Sequence, residues 1–151
     1  KVRKTGSLGE LTAEDWESCR DAIASPVRQN RAKHAVFENL RTIRAAEALR
    51  AGDLAGFGRL MNESHISLRD DYEVTGKELD TLVAAAWEVP GVIGARMTGA
   101  GFGGCAVSLV KEEAVEALMQ TVKGKYEAQI GYAPSFYVAE AGGGPGVLAE
   151  C

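Results

Sequence analysis

The amino-acid sequence predicts an α+β fold in which helices pack on one face of a mainly antiparallel sheet. Three observations lead there. In four long segments, apolar residues recur every three or four positions, as one face of a helix requires. Two short apolar runs, 92–97 and 105–110, flank a glycine-dense bend and read as strands. A last run, 134–139, reads as a further strand, and residues 1–10 read as an arm or a partial strand. If 1–10 contributes a strand, the order is β-α-β-β-α-β with extra helices in the first crossover. That is the ferredoxin-like, split-βαβ arrangement.

The elements follow in order. Thr12 caps a helix over 13–24, with Glu14 and Asp15 in the first turn, where negative charge favours the helix dipole. Ser25-Pro26 reads as the cap and first residue of a longer helix. Val36, Leu40, Ile43, Ala46 and Leu49 form its inward stripe, and Gly52 ends it. Asp53 caps a third helix with Phe57, Leu60, Met61, Ser64 and Leu68 on one side. Thr75 and Glu78 fit a capping box for a fourth, with Leu79, Leu82, Val83 and Ala86 inward and Pro90-Gly91 as its breaker. Beyond the two strands, 112–130 is amphipathic through Val115, Leu118, Met119, Val122, Tyr126 and Ile130. Residues 141–151 open on a glycine run with too little apolar surface to hold it, so a flexible tail is expected.

The 151 residues suit one domain, 1–151, with a real core. An apolar content of 46% and a charged content of 25% match an average soluble globular protein. The net charge of −4 argues against a nucleic-acid partner. No apolar run is long enough to span a bilayer, and Lys1-Val2-Arg3-Lys4-Thr5-Gly6 leads into no signal-peptide core. Cys19, Cys105 and Cys151 are far apart and in no metal-type spacing, so they read as reduced thiols in a cytoplasmic protein. The two histidines, His34 and His65, assemble no metal site or triad.

Chemistry concentrates in Met97-Thr98-Gly99-Ala100-Gly101-Phe102-Gly103-Gly104-Cys105, where four glycines fall within six residues. Glycine lacks Cβ, so its backbone takes positive φ and lets an anion approach successive N–H groups. Gly99, Gly101 and Gly104 fit G-x-G-x-x-G, but a strand follows where the dinucleotide fingerprint needs a helix. A Walker A loop would end in Gly-Lys-Ser/Thr, and a protein kinase would carry H-R-D and D-F-G; the chain has none of these. The bend is then either a tight hairpin whose glycines permit close packing, or a cradle for phosphate.

The order of residues resembles the third sequence motif of the GHMP small-molecule kinases, with Phe102-Gly103-Gly104-Cys105 most like the galactokinase branch. Phe57-Gly58-Arg59-Leu60-Met61-Asn62-Glu63-Ser64-His65-Ile66-Ser67-Leu68-Arg69-Asp70-Asp71-Tyr72-Glu73-Val74 resembles the segment ahead of that motif, and Glu78-Leu79-Asp80-Thr81-Leu82 continues the likeness. The resemblance runs from about residue 31 to 138. The family's Glu-His-Thr-Asp sugar segment, its Pro-x-Gly-x-Gly-Leu-Ser-Ser-Ser phosphate loop and its catalytic aspartate have no counterpart here. The resemblance is therefore to the C-terminal domain alone, and it implies a partner, the N-terminal kinase half.

For the intact enzyme the resemblance implies transfer of the γ-phosphoryl of ATP to the 1-hydroxyl of galactose, with Mg²⁺. Neither ATP nor Mg²⁺ is held by this chain alone, and no catalytic or metal residue is assigned in it. Thr98, Gly99, Ala100, Gly101, Phe102, Gly103 and Gly104 either touch phosphate directly or buttress the phosphate loop of the other half. A kinase for N-acetylgalactosamine or arabinose, a non-catalytic sugar and ATP sensor, and an unrelated ferredoxin-like binding module are the alternatives.

Other polar residues have plainer readings. Arg96 lies near the loop but reads as an exposed strand charge or an interdomain ion pair. Arg28, Arg31, Lys33, His34, Arg41 and Arg44 read as a solvated helix face, with Glu38 and Glu47 as helical partners. His65 reads as a satisfied histidine at the core edge. Asp70-Asp71 falls at a helix end, where acidic residues disfavour the dipole, and this points to a specific partner.

Overall fold

Thr12, Ser25 and Asp53 each accept a hydrogen bond from the backbone N–H three residues on, and each starts a helix. The resulting helices are α1 (Ala13–Cys19), α2 (Pro26–Arg50) and α3 (Leu54–Ser67). Helix α4 (Gly76–Trp87), strands β1 (Val92–Thr98) and β2 (Cys105–Val110), and α5 (Val115–Ile130) complete the chain. The structure, a computed structural model, describes residues 5–140 and 142. The domain mixes helix and strand, and its sheet is a two-stranded antiparallel hairpin with Thr98 opposite Cys105 and Val92 opposite Val110.

The apolar face of the hairpin carries Val92, Ala95, Ala106 and Val110, and packs against Val83, Ala86, Leu118 and Val122 of α4 and α5. Leu79 and Val83 have no exposed surface, and burying side chains of this size contributes about 2 kcal/mol each. A second cluster, Leu68, Leu79 and Met97, lies toward the glycine loop. A third joins Leu11 and Trp16 to Ala32 and Val36 of α2.

Helix α3 takes the outer edge of β1. A Cβ on Gly58 would fall 1.9 Å from the Ile93 carbonyl oxygen, and one on Gly94 would fall 2.6 Å from the Gly58 Cα. Backbone thus meets backbone, which only glycine permits. The Ala95 N–H donates to Asn62 Oδ1 (2.9 Å), the Met97 N–H to His65 Nδ1 (3.2 Å), and Trp87 Nε1 donates to the Ala95 carbonyl (3.2 Å). Side chains therefore complete the edge where a further strand would otherwise pair.

Several sequence expectations are corrected. The helix expected over 13–24 ends at Cys19, and a 3-10 turn, Arg20–Ala22, follows; the tighter turn brings Ile23 onto the Leu11–Trp16 cluster. The Thr75–Glu78 capping box does not form: Thr75 is buried and already helical (φ −83°, ψ −61°), whereas a box needs an extended cap. Ile43 and Leu49 of the expected inward stripe are exposed, because α2 beyond Leu40 runs past the cluster that covers its first half. The 112–130 helix begins as a 3-10 turn, Glu112–Ala114.

Residues 134–139 form no strand. Phe136 packs against the α4–α5 core and Ser135 and Tyr137 face out, so alternation is present over 134–137 without a ladder, and it ends at the exposed Val138. Alternation sets which side chains face the core; it supplies no backbone partner. Of the arm 1–10, residues 5–10 end in a 3-10 turn, Leu8–Glu10, and the Glu10 carboxylate draws the Thr5 hydroxyl and Gly6 N–H into local bonds. Residues 1–4 and the expected tail, apart from Gly142, lie outside the described residues.

Candidate functional site

The bend between β1 and β2 is built almost wholly from left-handed backbone. Gly99 (φ 82°), Gly101 (87°), Phe102 (60°), Gly103 (88°) and Gly104 (125°) all have positive φ. Ala100 does not, so the sign of φ alternates from Gly99 to Gly101, as in an amide nest that faces an anion. A Cβ at Gly99, Gly103 or Gly104 would meet nothing within 4 Å, so the glycines there answer to φ, and among the described residues no hydrogen bond takes up their N–H groups. Gly101 differs, since a Cβ there would fall 2.1 Å from the Val74 carbonyl oxygen. The same carbonyl accepts the Phe102 N–H at 2.7 Å. Thr98 is exposed at the end of β1, and the Phe102 ring is 80% exposed. Thr98 thus ends β1, and the other six residues expected from sequence form one exposed to half-buried bend.

Arg96 points away from the bend's open face. It donates from Nε to the Met97 carbonyl (3.0 Å) and pairs through Nη1 with Glu38 Oε1 of α2 (3.3 Å). Glu38 also takes Arg41 and the Ser64 hydroxyl, so one half-buried carboxylate ties α2, α3 and β1 together. Arg96 is thereby paired within the domain.

The basic half of α2 is not simply solvated. Lys33 Nζ reaches Asp71 Oδ1 (2.9 Å), and Arg31 donates to the Asp71 carbonyl and to Glu73 Oε2, each at 2.5 Å. These acceptors lie on and just after a π-helical turn, Leu68–Tyr72. The partner expected for Asp70-Asp71 is thus α2 for Asp71, while Asp70 pairs with its neighbour Arg69 (2.7 Å). That guanidinium holds the Asp70 carboxyl below the usual carboxylate range. Exposed pairs contribute about 1 kcal/mol or less, so their weight here lies in direction rather than strength.

Two histidines sit behind this surface. His34 stacks on Tyr72 with centroids 4.6 Å apart, and its Nδ1 lies 3.0 Å from Ser67 Oγ, which donates to Asp71 Oδ2 (3.0 Å). The serine proton goes to aspartate and the imidazole donates, which is the reverse of an activated nucleophile. His65 is wholly buried: Nδ1 accepts the Met97 N–H, and Nε2 lies 3.3 Å from Asp80 Oδ1. Burial lowers the pKa of both rings, against the pull of the nearby carboxylates. Among the described residues no three His, Cys, Asp or Glu side chains group to hold a metal.

Sequence reasoning missed Arg31, Tyr72, Glu73 and Val74 as the loop's support. The available signal was the misplaced acidic pair, which flagged the turn without naming its partner.

The family model for the C-terminal domain of GHMP kinases matches residues 45–128. The chain is 58% identical over 144 residues to a galactokinase of Clostridium beijerinckii, covering 95% of the chain and 37% of that protein. It is 57% identical over 142 residues to a galactokinase of Streptococcus thermophilus, covering 94% of the chain and 37% of that protein. The crystal structure of Lactococcus lactis galactokinase complexed with galactose superposes with a TM-score of 0.89 at 52% identity, over 91% of this chain and 36% of that one. A mevalonate kinase of L. major shares the fold at a TM-score of 0.56 and 23% identity, over 81% of this chain and 36% of that one. The chain spans about 37% of the length of these galactokinases. A glycine bend of open amides, carried on this hairpin and matched by that family over more than half its length, places the chain among the GHMP kinases, as a C-terminal domain of that family.

Proposed function

We propose that the intact protein carrying this domain is a sugar kinase that moves the γ-phosphoryl of ATP to the 1-hydroxyl of galactose, with Mg²⁺, in the cytoplasm. In this reading the amides of Gly99, Ala100, Gly101, Gly103 and Gly104 touch the nucleotide phosphates directly, while the Phe102 amide anchors the bend to Val74, and the partner half supplies the sugar site, the base and the metal ligands. The observation that carries it is the run of positive φ with open space at Gly99, Gly103 and Gly104. ATP supplies the transferred group; the bend's part is to align its phosphates and to offset negative charge as the group moves. Thr98, exposed at the strand end, adds a hydroxyl on the same bend.

Gly101 is a poor probe of this role, because any side chain there strikes the Val74 carbonyl. Gly103→Ala is cleaner: its only penalty is a left-handed alanine, about 1–2 kcal/mol. In the intact protein the expected result is a KM for ATP raised about tenfold, while the KM for galactose stays unchanged. Sugar phosphate is followed by ³¹P NMR with galactose, N-acetylgalactosamine and arabinose in turn. Absence of galactose 1-phosphate while another sugar turns over assigns the protein to that sugar instead. Absence of turnover with all three favours a sensor.

A further inference from the structure

We infer that the π-helical turn Leu68–Tyr72, gripped by Arg31, sets the position of the glycine bend, which makes Arg31 a positioning residue for nucleotide turnover. The turnover part rests on the function proposed above; the grip does not.

Three uncommon backbone states meet at one point. They are the π-helical turn, the left-handed Glu73 (φ 56°) and the left-handed Phe102 (φ 60°). Such states persist only where their surroundings over-determine them, and they gather at functional sites. Val74 joins all three. Its N–H donates to the Leu68 carbonyl (3.1 Å), the same oxygen that takes the Glu73 N–H at the end of the π-helical turn, and its carbonyl takes the Phe102 N–H (2.7 Å). Among the described residues, that bond is the one hydrogen bond tying residues 99–104 to anything outside the hairpin. Where Val74 goes, the bend's amides follow.

Arg31 determines where Val74 goes. One guanidinium donates through Nη1 to the Asp71 carbonyl and through Nη2 to Glu73 Oε2, and its Cζ lies 5.8 Å from the Tyr72 ring centroid. It therefore holds three successive residues immediately before Val74. Lys33 on Asp71 and the His34 ring on Tyr72 press the same turn against α2. A lysine at position 31 keeps the charge but cannot direct two donors at fixed angles. Displacement of positioning groups by about 1 Å is enough to lower turnover markedly.

The test uses the intact protein with Arg31→Gln and Arg31→Lys, and Glu73→Gln as a milder variant should the first two fold poorly. The first readout is hydrogen exchange at the Phe102 amide, with the Ala95 and Met97 amides as references for the untouched β1 edge. The second is steady-state kinetics for ATP and galactose. Faster exchange at Phe102 alone is expected in both Arg31 variants. A KM for ATP raised about tenfold with an unchanged KM for galactose should accompany it. Phe102 exchange that does not change overturns the grip. Faster exchange with an unchanged KM for ATP overturns the role in turnover, as does an equal rise in both KM values. A parent protein that phosphorylates no sugar ends the functional reading, while the exchange experiment still decides the grip.

Discussion

His65 illustrates how a single residue is settled by its surroundings. Its ring has no exposed surface, yet it accepts the Met97 N–H and turns its other nitrogen to Asp80. Spacing along the chain placed it at the edge of an apolar stripe and marked it as satisfied, which holds for Nδ1 only, since Nε2 is buried beside Asp80 without a hydrogen bond; the depth of its burial came from β1, which the stripe does not encode. His34 is likewise buried, between Tyr72 and Ser67. Burial depresses both pKa values below the ordinary 6.5. The unfolded chain then binds more protons than the folded one as pH falls below about 6.5, so stability is full above that value and is lost on acidification. Thermal melts of the intact protein from pH 8 to pH 5 should show a midpoint that is level at first and then falls. The Asn substitution at His34 should flatten part of that fall, and an unaltered slope would remove His34 from the account.

At the scale of elements, the contact of α3 with β1 depends on two residues without side chains. Glycine inside a helix reads from sequence as a weak point, costing about 1 kcal/mol relative to alanine. Gly58 reverses that logic, because a methyl there would overlap the Ile93 carbonyl. Gly58→Ala should therefore destabilise by about 3 kcal/mol, despite the better helix propensity of alanine. Gly124→Ala on α5, where a Cβ meets nothing within 4 Å, should be neutral or stabilising. Urea melts of the two variants decide between them, and equal midpoints would show that α3 yields at no cost. Helix boundaries were legible at Thr12, Ser25 and Asp53 because a cap is a local bond. The Thr75 cap was not, because packing buries that residue.

At the scale of the molecule, the chain spans about 37% of its galactokinase relatives, and Phe102, Val107, Tyr137 and Val138 stand exposed on or near the hairpin side. The 151 residues expressed alone should fold but leave galactose unphosphorylated, as read by ³¹P NMR with ATP and Mg²⁺; sugar phosphate formed by this chain by itself would refute that. Among the described residues no helix is long and apolar enough to cross a membrane. Read alone, the sequence determined where α1, α2 and α3 begin and that the hairpin bends over 99–104, because caps, period and glycine content act over a few neighbours. Tertiary structure alone decided that residues 134–139 stay unpaired, that side chains of α3 and α4 close the β1 edge, and that Arg31 reaches the turn beneath the bend. The Asn62–Ala95 and Arg31–Asp71 contacts join residues 33 and 40 positions apart, and local pattern carries no information about which distant backbone group will meet which side chain.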